Sequence, residues 1–179
     1  MDVLQFLKKD HRMVKELFAE CANLAEGDTQ NKPVLVVQIC QALTVHAQVE
    51  EELFYPALSQ VGAKDLTRLL DEAAEEHQVA KTLIADLMEI PSHEARCAAK
   101  ITVLGKYVLH HAKAEEQELF KLAKQYLSRE ELGALGEQGE RRRSELMQEE
   151  EVEGVEEEEL REGAEEEDKA DEEEAAEGS

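Results

Sequence analysis

Four histidines and two glutamates recur at spacings that suit a shared metal ion. His46 and Glu50, and again His111 and Glu115, stand four residues apart as H-x-x-x-E, a pattern that His11, His77, His93 and His110 lack. On a helix, residues i and i+4 share a face, so each pair can aim an imidazole nitrogen and a carboxylate oxygen at one point. His11 and His77 add single donors. Imidazole and carboxylate without thiolate suit iron, manganese or zinc, and two bridging carboxylates with two histidines per ion describe a dinuclear centre. Iron is expected ahead of zinc, and zinc ahead of manganese.

The faces on which these residues fall carry the argument. Steps of three and four give Val36, Ile39, Leu43, His46, Glu50, Phe54 in one segment and Ile101, Leu104, Val108, His111, Glu115, Leu119, Leu122 in another. The same steps give Leu4, Leu7, His11, Val14, Phe18 and Leu66, Leu70, Ala73, His77, Ala80, Ile84. A lone histidine on an apolar face is usually a satisfied core residue. Two carboxylates among four imidazoles in one apolar layer are a different matter, because unpaired buried charge is costly and a cation removes the conflict.

The elements that must position them repeat. Asp10-His11-Arg12-Met13-Val14-Lys15 lies over Glu76-His77-Gln78-Val79-Ala80-Lys81 at a displacement of 66, and the H-x-x-x-E segments match at 65. Each half therefore supplies one helix with a histidine and one with H-x-x-x-E. The expected helices run from Asp2 to Glu26, from about Pro33 to Val61, from Asp65 to Glu89, and from Ser92 as N-cap to Tyr126 or Leu127. Gly27, Gly62 and Pro91 punctuate them, and Pro56 is expected to kink or locally unwind the last turn of the second helix. Short connections force antiparallel neighbours. His46 lies fifteen residues before Val61 and His77 twelve after Asp65, so at a rise of about 1.5 Å per residue their depths differ by about 4 to 5 Å. His77 and His111, fourteen and twenty residues from Pro91, match less closely, which a non-helical stretch after Ser92 would absorb.

The fold expected is all-α: an up-down-up-down antiparallel four-helix bundle over residues 1–127, a short accessory fifth helix over 128–147, and an acidic disordered tail over 148–179. Ser128-Arg129-Glu130-Glu131 fits a capping box for the fifth helix, although Gly133, Gly136 and Gly139 weaken it. The 179 residues carry a net charge of −23, and from Glu149 to Ser179 eighteen acidic residues face only Arg161 and Lys169, a balance of −16. Such a tail cannot offset the entropy of folding. The acidic balance excludes nucleic-acid binding, which needs cations against phosphates. No apolar run approaches the ~18 residues of a membrane span, and Val3 to Leu7 ends at Lys8-Lys9-Asp10 rather than in a signal-peptide core, so a cytoplasmic protein is expected. Cys21, Cys40 and Cys97 form no C-x-x-C pair and are read as small buried residues. Glu51, Glu52, Glu76 and Glu116 are read as surface charges near the bundle exterior, any of which could help cation entry, His93 as solvated, and His110 as outside the core or behind a ligand rather than a ligand itself. Tyr107, one turn before His111, is either a core aromatic or a group facing an open iron position.

The order H, H-x-x-x-E, H, H-x-x-x-E, at separations of 35, 31 and 34 residues, resembles the hemerythrin-like family, the HHE cation-binding domain. The segments His46 to Pro56 and His110 to Phe120, with their H-x-x-x-E-E cores and trailing aromatics, carry the likeness across roughly Met1 to Leu127. The resemblance implies two iron ions in an oxo- or hydroxo-bridged non-haem centre, with Glu50 and Glu115 bridging, His11 and His46 on one iron, and His77 and His111 on the other. The chain departs from the oxygen carriers: their H-x-x-x-H in the third helix is missing, since Ala73 and Lys81 flank His77, and their fourth-helix carboxylate is usually an Asp one place further on, where Glu116 follows Glu115 here.

These departures weaken transport and leave coordination positions for O2, nitric oxide or peroxide, as in family members tied to sensing, stress response or iron handling. The leading expectation is a di-iron protein that binds or reacts with such a small ligand. Iron storage or donation, including iron-centre repair, is the alternative, although the cysteine-bearing N-terminal extension of many repair members has no counterpart here. A third reading is a metal-stabilised interaction module whose tail takes a basic protein partner. The tail is read first as solvated.

Overall fold

The computed structural model describes residues 1–24, 28, 30–91 and 94–149. Among them every regular element is helical. Helix α1 is Val3–Asn23, α2 is Asn31–Val49, a π-helical segment is Glu50–Phe54, α3 is Tyr55–Ser59, α4 is Lys64–Glu89, α5 is Ala95–Gln117 and α6 is Leu119–Tyr126. A seventh helix, α7, spans 129–149. The second expected helix is thus α2 continued through the π-segment into α3, the fourth is α5 continued into α6, and with α1 and α4 they form the expected four-helix arrangement. The chain divides into Met1–Arg143 and Ser144–Ser179, and the first unit holds everything that follows. The tail expected over 148–179 lies outside the described residues apart from 148 and 149.

Local chemistry explains most boundaries. Asp2 caps α1 by accepting from the Gln5 amide at 2.8 Å. The start of α2 falls at Asn31 rather than Pro33, because Asp28 accepts from the Asn31 amide at 2.9 Å and from its side-chain nitrogen. Gly62, at φ 71°, turns the chain after α3 in the left-handed conformation that glycine tolerates. The capping box forms reciprocally: the Glu131 amide donates to Ser128 Oγ at 3.2 Å, and the Ser128 amide to Glu131 Oε2 at 2.7 Å. Gly27, Ser92 and His93, to which the sequence assigns roles, lie outside the described residues.

Two irregularities depart from expectation, and both fall directly after the H-x-x-x-E motifs. Pro56 disturbs the turn before it rather than the last turn of the helix: with no N–H to offer the carbonyl four residues back, the chain widens, and the Tyr55 amide bonds to the Glu50 carbonyl. In the second half, Glu118 leaves regular geometry and separates α5 from α6. Widening by one residue brings positions i and i+5 into line, which places Tyr55 over Glu50.

The far half of the bundle is an aliphatic cluster that includes Leu35, Ile39, Leu43, Leu87, Ile101 and Leu104. All three cysteines are free and buried there, as small apolar residues. The other half holds the polar layer. The glycines of α7 do not interrupt it. A Cβ on Gly136 would lie 2.2 Å from the Met1 carbonyl oxygen and 2.8 Å from the Asp2 carbonyl carbon, so this glycine lets α7 cross the start of α1. Because the obstacle is backbone, Gly136→Ala is expected to cost about 1–3 kcal/mol despite alanine's better helix propensity. Denaturant unfolding of the full chain tests this, and an unchanged or raised midpoint would show that the crossing can yield.

Candidate metal centre

All six sequence-selected residues converge in one buried layer: His11, His46, Glu50, His77, His111 and Glu115 are each 8 % exposed or less. Their ligand atoms form two groups, each within 4.8 Å: His11, His46, Glu50 and Glu115 in one, and Glu50, His77 and His111 in the other. Glu50 belongs to both. It is fully buried, and its Oε2 lies 3.3 Å from both His46 Nε2 and His77 Nε2. His77 Nε2 and His111 Nε2 are 3.2 Å apart. Their depths match because α5 begins only at Ala95, sixteen residues before His111, while His77 lies twelve before the end of α4 at Glu89.

The outer edge of each ring carries a second set of acids. Nδ1 of His11 donates to Glu116 Oε1 at 2.9 Å, Nδ1 of His77 to Glu51 Oε1 at 2.8 Å, and Nδ1 of His111 to Glu76 Oε2 at 2.6 Å. His46 Nδ1 faces Asp10 Oδ2 at a longer 3.8 Å. A carboxylate can only accept, so it holds the proton on Nδ1 and leaves Nε2 with a lone pair facing the centre, the tautomer a metal needs. Glu51, Glu76 and Glu116 are therefore not the surface charges expected from sequence. Only Glu52 remains outside, paired with Arg142 at 2.7 Å. The arrangement follows the repeat: the acid before each single histidine serves the H-x-x-x-E histidine of the next helix, and the acid after each inner glutamate serves a single histidine.

Tyr55, which the sequence pattern passes over, is the tyrosine whose hydroxyl reaches the inner ligands. Its hydroxyl donates to Glu50 Oε2 at 3.3 Å and lies 3.3 Å from His77 Nε2. Tyr107 instead lines a small cavity of about 30 Å³ with Leu43, Ala47, Ala80, Ile84 and Val108, against His46, His77 and His111. Exposed His110 lines a separate cleft of about 310 Å³ with Glu72, Glu76 and Glu118, which reaches His111 and Glu115.

The chain shares much with known proteins. The family description Hemerythrin HHE cation binding domain matches residues 2–123. This chain belongs to that family. A Nostoc sp. protein named DNA nickase is 30% identical over 132 residues, 73% of this chain but only 36% of that protein. This HHE chain thus spans about a third of that relative. An uncharacterized Mycobacterium tuberculosis protein is 29% identical over 119 residues, covering 66% of this chain and 70% of that one. The crystal structure of a Hemerythrin HHE cation binding domain-containing protein from Mycobacterium kansasii superposes with a TM-score of 0.71 at 22% identity, over 82% of this chain and 87% of that one. That likeness speaks to the fold.

The donor set of this HHE domain fits a cation on its own chemistry. His11 Nε2, Glu50 Oε1 and both Glu115 oxygens are buried without a hydrogen-bond partner. Unsatisfied buried acceptors at this density are costly unless a cation answers them. His11 Nε2 lies 3.4 Å from Glu115 Oε2, a close ion contact without hydrogen-bond geometry.

Electrostatics divides the two inner carboxylates. Burial and the neighbouring Glu115 push the Glu50 carboxyl well above the usual range. Burial also opposes ionisation of Glu115, but His11 and His111 outweigh it and hold its carboxyl at about 2. Burial likewise works against protonation of His11, yet Glu115, Glu50 and Glu116 raise it to about 9. Burial lowers His46 to about 4.

The outer carboxylates give a direct test. Glu116→Gln should keep the fold and weaken metal binding by about 10- to 100-fold, because the amide no longer enforces the His11 tautomer. Chelator competition measures it, and wild-type affinity would remove Glu116 from the centre.

Proposed function

We propose that the bundle holds two iron ions between its four helices and that a small ligand, O2, nitric oxide or peroxide, binds beside them for sensing or stress response. The observation that carries the reading is the cavity of about 30 Å³, which lies against His46, His77 and His111 and is otherwise lined mainly by apolar side chains, with Tyr107, Thr44, Glu76 and Lys81 at its edge. A void of that size accommodates one or two water-sized groups and no larger substrate. Glu50, common to both donor groups, supports two ions rather than one.

Iron would supply an electron-rich centre with positions open to a small ligand. The chain's own work is to hold Nε2 of the histidines inward through the outer acids, to keep Glu50 fully buried, and to wall the cavity with Leu43, Ile84 and Val108. Stopped-flow mixing of the ferrous protein with O2 or nitric oxide should give a visible charge-transfer band. A protein that keeps its iron and gives no band with either gas or with peroxide would overturn the reading.

One observation favours iron donation as the second reading. The cleft that leads to His111 and Glu115 carries Glu72, Glu76 and Glu118 against the single Arg68, which pairs with Glu72, and this acidic balance suits passage of a cation. Rapid loss of iron to a weak chelator, without ligand-dependent absorption, would move the assignment there. We do not carry over the activity in the Nostoc relative's name, since most of that protein lies outside the match and a charge of −23 opposes approach to DNA.

A further inference from the structure

We infer that Arg143, on the helix that follows the family-matched residues, is a positioning residue for the metal centre, holding Asp10 and through it the ring of His46. The inference rests on the proposed metal site and concerns a segment that the 2–123 match does not include.

The geometry runs outward from the ligand. His46 Nδ1 is buried and has no hydrogen-bond partner, and Asp10 Oδ2 faces it at 3.8 Å. Asp10 is only 3 % exposed, so its charge needs a cation close by. That cation is Arg143, whose Nη1 donates to Asp10 Oδ1. The guanidinium also lies 5.8 Å over the Phe6 ring and sends Nη2 to within 3.7 Å of Met13 Sδ. Arg143 thereby fixes one carboxylate oxygen and leaves the other directed at His46.

The two acids that follow the inner glutamates are held differently from Asp10. Glu51 is paired with Lys81 at 2.6 Å and Glu116 with Lys8 at 3.6 Å. Those lysines stand on the same helices as the histidines being oriented, His77 and His11. Asp10 instead takes its cation from α7. The approach of that helix is shaped by sequence, since Gly136 clears the Met1 carbonyl. Arg142, the adjacent residue, pairs with exposed Glu52 and so offers an internal control.

The test uses the full chain with Arg143→Met, which keeps the apolar stem, Arg143→Lys, which keeps the charge but loses the fork, and Arg142→Ala. Ferrous ion is loaded anaerobically and withdrawn by a graded chelator. Arg143→Met should weaken one of the two ions on the order of tenfold, Arg143→Lys should recover part of that loss, and Arg142→Ala should match wild type. Equal weakening by Arg142→Ala and Arg143→Met, in step with their thermal midpoints, would make α7 a brace and overturn the inference. Nitrogen-15 shifts of the imidazoles in the metal-free protein provide a readout without iron: Arg143→Met should move His46 and leave His111, its counterpart in the repeat, unchanged. An unmoved His46 overturns the coupling. A wild-type chain that takes no iron while His46 still responds would overturn the proposed function and leave the coupling intact.

Discussion

Glu50→Gln is expected to purify with well under one metal ion per chain, whereas Glu115→Gln should retain about one. The asymmetry follows from geometry: Glu50 is shared by the two donor groups, while Glu115 belongs only to the group with His11 and His46. Glutamine is nearly isosteric with glutamate, so neither variant opens a cavity, and what changes is charge. An amide is a poor bridge because only its oxygen can bind a cation and its nitrogen carries two protons. In Glu115→Gln the set Glu50, His77 and His111 survives, with the Tyr55 hydroxyl beside it. Elemental analysis of protein from iron-supplemented cells decides the matter. Two ions retained by Glu50→Gln would overturn Glu50 as the ligand shared by both ions, and equal losses in both variants would show that the two inner carboxylates are equivalent bridges.

The inner six residues were legible because burial and charge conflict in a linear pattern. His46, Glu50, His111 and Glu115 interrupt apolar stripes at helical spacing, and the repeat says that the interruption happens twice. The outer acids were harder to read. Glu51, Glu76 and Glu116 lie beside the stripe, where a glutamate on an exposed helix face looks the same, and only the partner helix decides whether its carboxylate meets solvent or a ring nitrogen. A signal did exist, in the acid preceding His11 and His77 and the doubled glutamate closing each H-x-x-x-E, both repeated at the displacements of the ligands. Tyr55 was hidden for another reason: regular spacing rotates residue i+5 away from Glu50, and only the π-segment before Pro56 brings it back. Gly136 shows the same limit, since helix propensity counts against it while the close crossing over Met1 requires it.

Without metal, the same Glu50→Gln substitution should stabilise the fold, by an amount that grows with pH. The Glu50 carboxyl is held well above its ordinary range by burial and by Glu115, so the folded chain binds this proton more tightly than the unfolded chain. In acid both states are protonated and the group costs nothing. As pH rises past the ordinary carboxyl value, the unfolded state releases its proton first, and folded stability falls by up to about 1.4 kcal/mol per pH unit until the raised folded value is passed. His11 acts in the same direction: raised to about 9, it contributes stability that is complete below its unfolded value near 6.5 and lost as pH climbs through 9. His46, lowered to about 4, opposes both on the acid side, because the unfolded chain takes up that proton between 6.5 and 4 and the folded chain resists it. Metal-free protein should therefore be most stable in mildly acid solution and weaken steadily toward pH 9. The introduced glutamine would carry no proton to lose, and its amide could donate to Glu115, whose oxygens lack hydrogen-bond partners. Thermal midpoints of chelator-treated wild type and Glu50→Gln between pH 5 and pH 9 should diverge upward for the variant, whereas iron-loaded wild type should show no such alkaline loss. Parallel curves for the two metal-free proteins would mean that Glu50 keeps an ordinary carboxyl in the folded state, and that the buried layer admits water.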